Sequence, residues 1–344
     1  MDEPIPQPDP AGDTGAAILV KAHNDGAPGR DAHSPWQMPR AAWWQVLRRV
    51  WDEIGKDNIA LVAAGVSFYT FLSIVPLLAS IVLTWGIVAD PATIQKLVGD
   101  LFELLPADVA SILSQQLIDM VRTAGTTKGW ALALAIGTAI YGAMRAASGV
   151  IMAMNVANEE RETRSFVWLN LVTLFFTIAL VAGGLSLLTL SALGVAMEAL
   201  LASYGPVAIF FARAGVWIVA AIGLNLGVAL IYRYAPDRAP AQWSWVSPGS
   251  LLTTIGGLIL TLGFATYVAN FGSYNVTYGA LGAVVVFLLW LYFLAYLMCV
   301  GCELNAELEK QTAVDTTSGR SRRAGKRGAA VADNVAVMTE APAS

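Results

Sequence analysis

Two basic residues, Arg145 and Arg213, fall inside long apolar stretches, and a cation at that depth is the first candidate for chemistry. An ionised side chain far from an interface costs about 2.5 to more than 10 kcal/mol, so it asks for a partner. Arg145 stands about ten residues from one end of its stretch, near mid-membrane at about 1.5 Å per residue. That depth exceeds easy snorkelling. The spacing therefore predicts that Arg145 faces the bundle interior, against a carboxylate, backbone carbonyls or the anionic headgroup of a substrate. Arg213 is only some seven residues from the opposite face, within snorkelling reach.

Carboxylates are nearly absent from the same stretches. Glu303, in GCELNAELEK, is the exception; it either pairs with Arg233 or takes part in an ion or proton step. Asn155 and Asn158 end one stretch, while Asn170 and Asn225 lie within two others, where amides bridge helices by hydrogen bonds. In SFYTFLSIVPLLASIVLTWG, Pro76 removes a backbone donor and crowds the Leu72 carbonyl, which predicts a kinked or broken helix. Ser67, Tyr69, Thr70 and Ser73 precede it and can satisfy freed backbone groups. Broken helices line substrate sites in transporters, although many membrane helices carry a structural proline. The candidate substrate-binding set is thus Arg145, Tyr69, Ser73, Pro76 and Asn155, with Glu303 and Arg233 as the candidate ion, proton or pairing residues.

Other chemistries lack their residues. Cys299 and Cys302 have C-x-x-C spacing, but no further Cys or suitable His completes a site, so they read as packing residues. The only histidines, His23 and His33, lie in a polar N-terminal arm. No embedded His/Asp/Glu group has metal-ligand spacing, no phosphate-binding loop is present, and no basic groove with interleaved aromatics offers a nucleic-acid track. The sequence argues against an enzyme and implies no cofactor and no metal.

The elements that must position these residues are six apolar stretches, at 59–88, 129–155, 166–193, 206–232, 246–271 and 278–304. Each reaches the roughly 20 residues that a helix needs to cross about 30 Å of hydrocarbon. The composition agrees: 56% apolar and 13% charged, against about 25% charged in soluble domains. Sixteen Lys and Arg fall on the side of the two termini and three on the other, which predicts both termini in the cytoplasm. The net charge of −4 adds little, because the acids concentrate in the first external loop and the termini. The start, MDEPIPQPDP, has no apolar core and reads as no cleavable signal peptide.

The expected organisation has four parts. Residues 1–38 read as a disordered arm. Residues 39–58 read as an amphipathic helix, with Trp43, Leu47, Val50, Trp51 and Ile54 on one face, lying at the headgroup level or packed on the protein's own loops. Residues 59–311 form the six-helix domain, with an external amphipathic segment at 90–128 that is a lid or an inert connection. Residues 312–344 read as a disordered basic tail whose arginine run either attracts anionic lipid or serves only as a topology signal. Tyr267, Asn270, Tyr274 and Tyr278 gather at the last external turn, as interfacial aromatics do. Short loops predict antiparallel neighbours, and Gly183-Gly184 and Gly223-x-x-x-Gly227 predict close helix packing. The fold class is an all-α integral membrane protein.

From about Trp44 to Lys310 the chain resembles the YihY/virulence factor BrkB family. The resemblance is carried by SFYTFLSIVPLL, the LLP at Leu104–Pro106 and AMN before an Arg-containing loop at Ala153–Arg164. YRYAPDR, W-x-x-PG at Trp245–Gly249 and YGALGAVVVFLLWLYFLAYLMCVGCELNAEL continue it. The family-like residues are Tyr69, Pro76, Asn155, Pro236, Pro248, Gly249, Tyr278, Gly279 and Glu303; Cys302 departs, standing where a small residue such as Ala is expected. The resemblance implies a six-span bacterial inner-membrane protein. Its relatives have been labelled ribonuclease BN, a label these residues do not support, and others have been connected with serum resistance and with movement of lipid-like envelope precursors. A transporter or flippase of such a precursor, or of a small solute, follows as the expectation, with membrane lipids and an anionic amphiphile as partners. A non-transporting scaffold or envelope assembly factor is the alternative.

Overall fold

The computed structural model describes residues 26–85, 130–270 and 275–336. The expected external segment 90–128 and Tyr274 lie outside the described residues, as does the side chain of Tyr278. The described elements are helical: α1 (Arg40–Lys56), α2 (Ile59–Trp85), α3 (Trp130–Ala157), α4 (Phe166–Leu201), α5 (Pro206–Tyr234), α6 (Trp243–Asn270), α7 (Asn275–Gln311) and the short α8 (Ala330–Asp333). Five of them are long and apolar enough to cross a membrane, and six spans result when α2 is counted with α1, from which it turns by 66°.

Each long helix packs on the next in the chain, α2 on α3 and so on to α6 on α7, and α7 returns to α2. The six helices therefore form a closed ring of antiparallel neighbours, as short connections require. The buried core gathers at the end of the ring that holds both tails. It comprises Ile59 and Ala63 of α2, Met154 and Ala157 of α3, Tyr232 of α5, Trp245 of α6, and Cys299 and Leu308 of α7, among others. We call this the polar end, because the charged residues lie there too.

Several expectations change. Of the two outcomes expected at Pro76, a kink or a break, the break does not occur, since α2 continues through it as one helix. A second internal proline, Pro248 in α6, leaves the Ser244 carbonyl without its helical donor, and the Ser247 hydroxyl donates to it at 2.8 Å. α4 and α7 run beyond the apolar stretches, to Leu201 and Gln311. The added turns of α7 alternate Leu304, Ala306 and Leu308 with buried Glu303, Asn305, Glu307 and Glu309, so a hydropathy window stops short of them.

The tails are folded where they are described. Residues 26–38 and 312–336 pack against each other and against α7, not as disordered arms. Arg30, 5% exposed, donates to the carbonyls of Gln311 and Ala336. The Thr312 hydroxyl meets the Arg30 and Ala32 carbonyls, each at 2.9 Å. Arg327, expected in a solvated basic run, is 4% exposed and donates to the Ala313 and Ala332 carbonyls. Helix α1 packs on α7 through Ala42, Val46 and Val50. Its Trp44, Leu47 and Trp51 stay exposed, so the helix has a protein face and a separate apolar outer face.

Candidate functional site

The polar end is built around α7. Glu309, 2% exposed, accepts hydrogen bonds from Arg238 Nη1 and Nη2 at 3.1 and 2.6 Å, and from the Thr316 hydroxyl at 2.6 Å. Glu307 takes Arg49 Nε at 2.5 Å and Lys310 Nζ at 2.7 Å, and Lys310 also reaches Glu159. Arg238 donates further to Asn158 Oδ1 at 2.7 Å, while Asn158 Nδ2 reaches Cys302 Sγ at 3.2 Å. The two cysteines are buried and free, as packing residues are.

Asn155 ties two loops together. Its Oδ1 accepts the Asp237 amide at 2.7 Å and its Nδ2 donates to Glu162 at 2.9 Å. The Arg164 guanidinium beside Glu162 holds that carboxyl below the usual carboxylate range. Burial pushes Glu160 up, although its Oε1 accepts the Ala330 amide at 2.6 Å. These groups join the α3–α4 and α5–α6 loops and the C-terminal tail into one rigid cap.

Glu303 and Arg233 do not pair. Arg233 donates to the Ala241 carbonyl and lies 4.8 Å from the Trp243 ring centroid, so the α5–α6 connection holds it. Glu303, 2% exposed, instead meets the carboxyl of Asp57 at the α1–α2 turn, and its Oε1 has no hydrogen-bond partner among the described residues.

Tyr69, Ser73 and Pro76 form the joint between α2 and α3. Ser73 Oγ donates to the Gly142 carbonyl at 3.1 Å and accepts the Ala146 amide at 3.2 Å, stitching one helix to the other. Pro76 lies where a Cβ on Gly142 would come within 2.9 Å of it, and Tyr69 lies beside Gly149. Arg145 does not face the interior. It is exposed, with Nη2 3.5 Å from the Tyr141 hydroxyl and its guanidinium 5.8 Å from that ring. The buried sectors of α3 carry Ala143, Ala146 and Ala147, whose small side chains let neighbours close in, and a guanidinium has no room there. Arg213 does not simply snorkel: Glu198, on the added turns of α4, accepts its Nε at 2.6 Å and Nη2 at 2.8 Å. Asn225 bridges to Thr254 of α6, whereas Asn170 donates to the Phe166 carbonyl of its own helix.

A cavity of about 880 Å³ lies between α3, α4 and α5, with Leu77 of α2 at its side. Its wall is apolar. Among the described residues, the side-chain polar groups on it are the hydroxyls of Ser186 and Thr189, which donate to their own helix at the Ala182 and Leu185 carbonyls. Leu187 and Leu224 on the wall are 52% and 48% exposed, so the cavity is open rather than sealed. The glycines expected to pack helices tightly, Gly183, Gly223 and Gly227, line it, and a Cβ on any of them would meet nothing within 4 Å. Close packing falls elsewhere: a Cβ on Gly249 would collide with the Gly301 carbonyl and Asn305.

Sequence reasoning missed Arg238, Glu307, Glu309, Asn305 and Tyr232. The last is a buried phenol whose hydroxyl donates to the Met298 carbonyl at 2.7 Å and lies 2.6 Å from Thr253 Oγ1. All five lie in the YRYAPDR and CELNAELEK runs, already singled out but not resolved into partners. Among the described residues, no three His, Cys, Asp or Glu stand where they could hold a metal ion.

Comparison with known proteins places these features in a family. No solved structure gives a significant match. A curated relative, named as a ribonuclease-like protein, YfkH of Bacillus subtilis, is 26% identical over 252 residues, covering 72% of this chain and 90% of that protein. The family model described as virulence factor BrkB matches residues 50–326, which include α2 to α7 and most of the polar end, and the chain is therefore a member of the BrkB family of membrane proteins.

Proposed function

We propose that this protein is an inner-membrane transporter or flippase for an amphiphile, a lipid-like envelope precursor or a small apolar solute, with both termini in the cytoplasm. The observation that carries this reading is the open apolar cavity between α3, α4 and α5. Moving an alkyl chain from bilayer to such a wall exchanges one hydrocarbon surface for another, so little hydrophobic free energy holds it there. A site that must release its cargo needs that balance. Trp44, Leu47 and Trp51 of α1 suit the cytoplasmic headgroup layer. Arg145 and Tyr141, outside the cavity, offer an anionic headgroup a charge-assisted contact on the outer flank of α3.

Gly183→Leu, Gly223→Leu and Gly227→Leu fill the cavity from positions with open space. In liposomes containing fluorescent phospholipids, the wild type should move the label between leaflets and the filled variants should not, while eluting as the wild type does. Equal movement in wild type and all three variants would remove the cavity from the function; no movement above empty vesicles would refute lipid transport.

A scaffold reading finds its observation in the folded polar end, where Arg320, Arg322 and Arg323 remain exposed beside buried Arg327. Function lost on neutralising those three, and kept in the cavity variants, would favour it. The relative's ribonuclease-like name brings a nuclease reading to this chain, which RNA cleavage by the purified protein, abolished by a single carboxylate substitution, would establish.

A further inference from the structure

We propose that Asp57 and Glu303 form a proton-binding site, holding one exchangeable proton between two carboxyls and, on the transport reading above, coupling transport to a proton gradient. Glu303 is 2% exposed in the last turns of α7, and its Oε1 has no hydrogen-bond partner among the described residues. The other carboxyl in reach is that of Asp57, half-buried at the α1–α2 turn. Two carboxyls in hydrogen-bond contact need a proton between them, because two like charges at that distance cannot both be held out of water.

The surroundings do not supply the missing positive charge. From α1 the pair faces Glu53, which Lys56 pairs at 2.7 Å, and from the end of α3 it faces Glu159. From α7 it faces Cys299, Cys302, Glu307 and Lys310. Lys310 is the one cation in that set not turned toward solvent, and Glu159 and Glu307 already occupy it at 2.6 and 2.7 Å. Burial pushes the Asp57 carboxyl above its ordinary range.

The site is also placed to act. Asp57 is partly open at the polar end, so water delivers the proton there, while Glu303 is on the helix that closes the ring against α2. Asn58, at a left-handed φ of 50°, makes the sharp turn between α1 and α2. With the proton bound, a hydrogen bond ties that turn to α7. When it leaves to water, two carboxylates repel and the tie is released, shifting the population between two arrangements of the α2–α7 contact.

Infrared spectroscopy of the full chain in nanodiscs tests the site without any substrate. The wild type should keep a protonated-carboxyl C=O band well above about pH 4.3, where an ordinary glutamate has titrated, and lose it in alkali. Glu303→Gln should remove that band, Asp57→Asn should move its midpoint to lower pH, and Asp52→Asn, on exposed α1 surface, should change neither. Both amide variants keep side-chain size and hydrogen bonding, and their elution profiles check folding. No such band in the wild type, a band surviving Glu303→Gln, or a midpoint unmoved by Asp57→Asn would overturn the site. Coupling is read separately, as fluorescent-lipid movement that responds to an imposed pH gradient in the wild type and ignores it in Glu303→Gln. Movement indifferent to the gradient in both would overturn coupling while leaving transport standing. The infrared result without any lipid movement would leave the site standing and remove the transport reading.

Discussion

Replacing Arg238 by alanine tests the polar end most directly. Arg238 and Glu309 are each 2% exposed and joined by two hydrogen bonds at 3.1 and 2.6 Å. Removing one member of a buried pair costs about 3–5 kcal/mol, because the remaining charge is left without its counterion. The Asn158 amide loses its 2.7 Å partner as well, which adds about 1 kcal/mol. The Thr316 hydroxyl stays on Glu309 and offsets part of the loss. The net expectation is about 4 kcal/mol. Lys56→Ala is the contrast, since Lys56 is 66% exposed in its pair with Glu53, where solvent screens the charges, and its loss should leave the unfolding midpoint nearly unchanged. Both can be measured by titrating SDS into detergent micelles and following tryptophan fluorescence. The double change Arg238→Met with Glu309→Leu should recover most of the loss, because apolar replacements leave no charge behind. If Arg238→Ala cost no more than Lys56→Ala, the cap would not be the buried, cooperative unit described.

The other expectations follow from single contacts. Gly249→Ala should destabilise by about 1–3 kcal/mol or more, through overpacking against Gly301 and Asn305, whereas Gly183→Ala should be neutral or stabilising in the same titration. Gly142→Ala should also destabilise in that titration, because the added Cβ would stand 2.9 Å from the Cβ of Pro76 and 3.0 Å from its Cγ; Pro76→Ala keeps that Cβ and should not relieve the clash, whereas Pro76→Gly removes both atoms. Glu162 has a lowered folded pKa, so its contribution is complete above the ordinary glutamate value and is lost as pH falls through the lowered one. The protection of the Arg164 amide, which donates to Glu162 at 3.2 Å, should therefore fall in acid relative to the intrinsic exchange rate at each pH, and Glu162→Gln should show weakened protection already at neutral pH. Arg145→Leu should leave stability equal or higher in the SDS titration, since an exposed cation at membrane depth costs about 2.5–3.5 kcal/mol on insertion scales. A large loss there would mean that Arg145 holds a structural ion pair after all.

Much of the architecture was legible before any coordinate. Run length and apolarity identify α2 to α7 to within a few residues at most ends, because crossing hydrocarbon is a requirement that each helix meets alone. The polar runs that build the cap, YRYAPDR and CELNAELEK, were visible as departures from apolarity. Their partners were not. Depth along the helices matches Glu303 to Arg233, but depth says nothing of which neighbours a helix has around the ring, and the return of α7 to α2 places Asp57 beside it. Desolvation cost alone points Arg145 to the interior, while its rotation about α3 is set by the small residues that α2 and α4 need. The glycines of α4 and α5 read as contacts and proved to be the wall of a cavity, since a missing side chain makes either, depending on what stands opposite. The tails read as disordered because their apolar content is low, yet the described part of the N-terminal arm is held through Arg30 by Gln311 and Thr312 at the end of α7, some 280 residues away in the chain. Sequence alone thus determined that five or six helices are long and apolar enough to cross a membrane, a property summed along the chain. Only the tertiary structure decided which groups meet, because contact depends on helix order and rotation, which no local run of residues encodes.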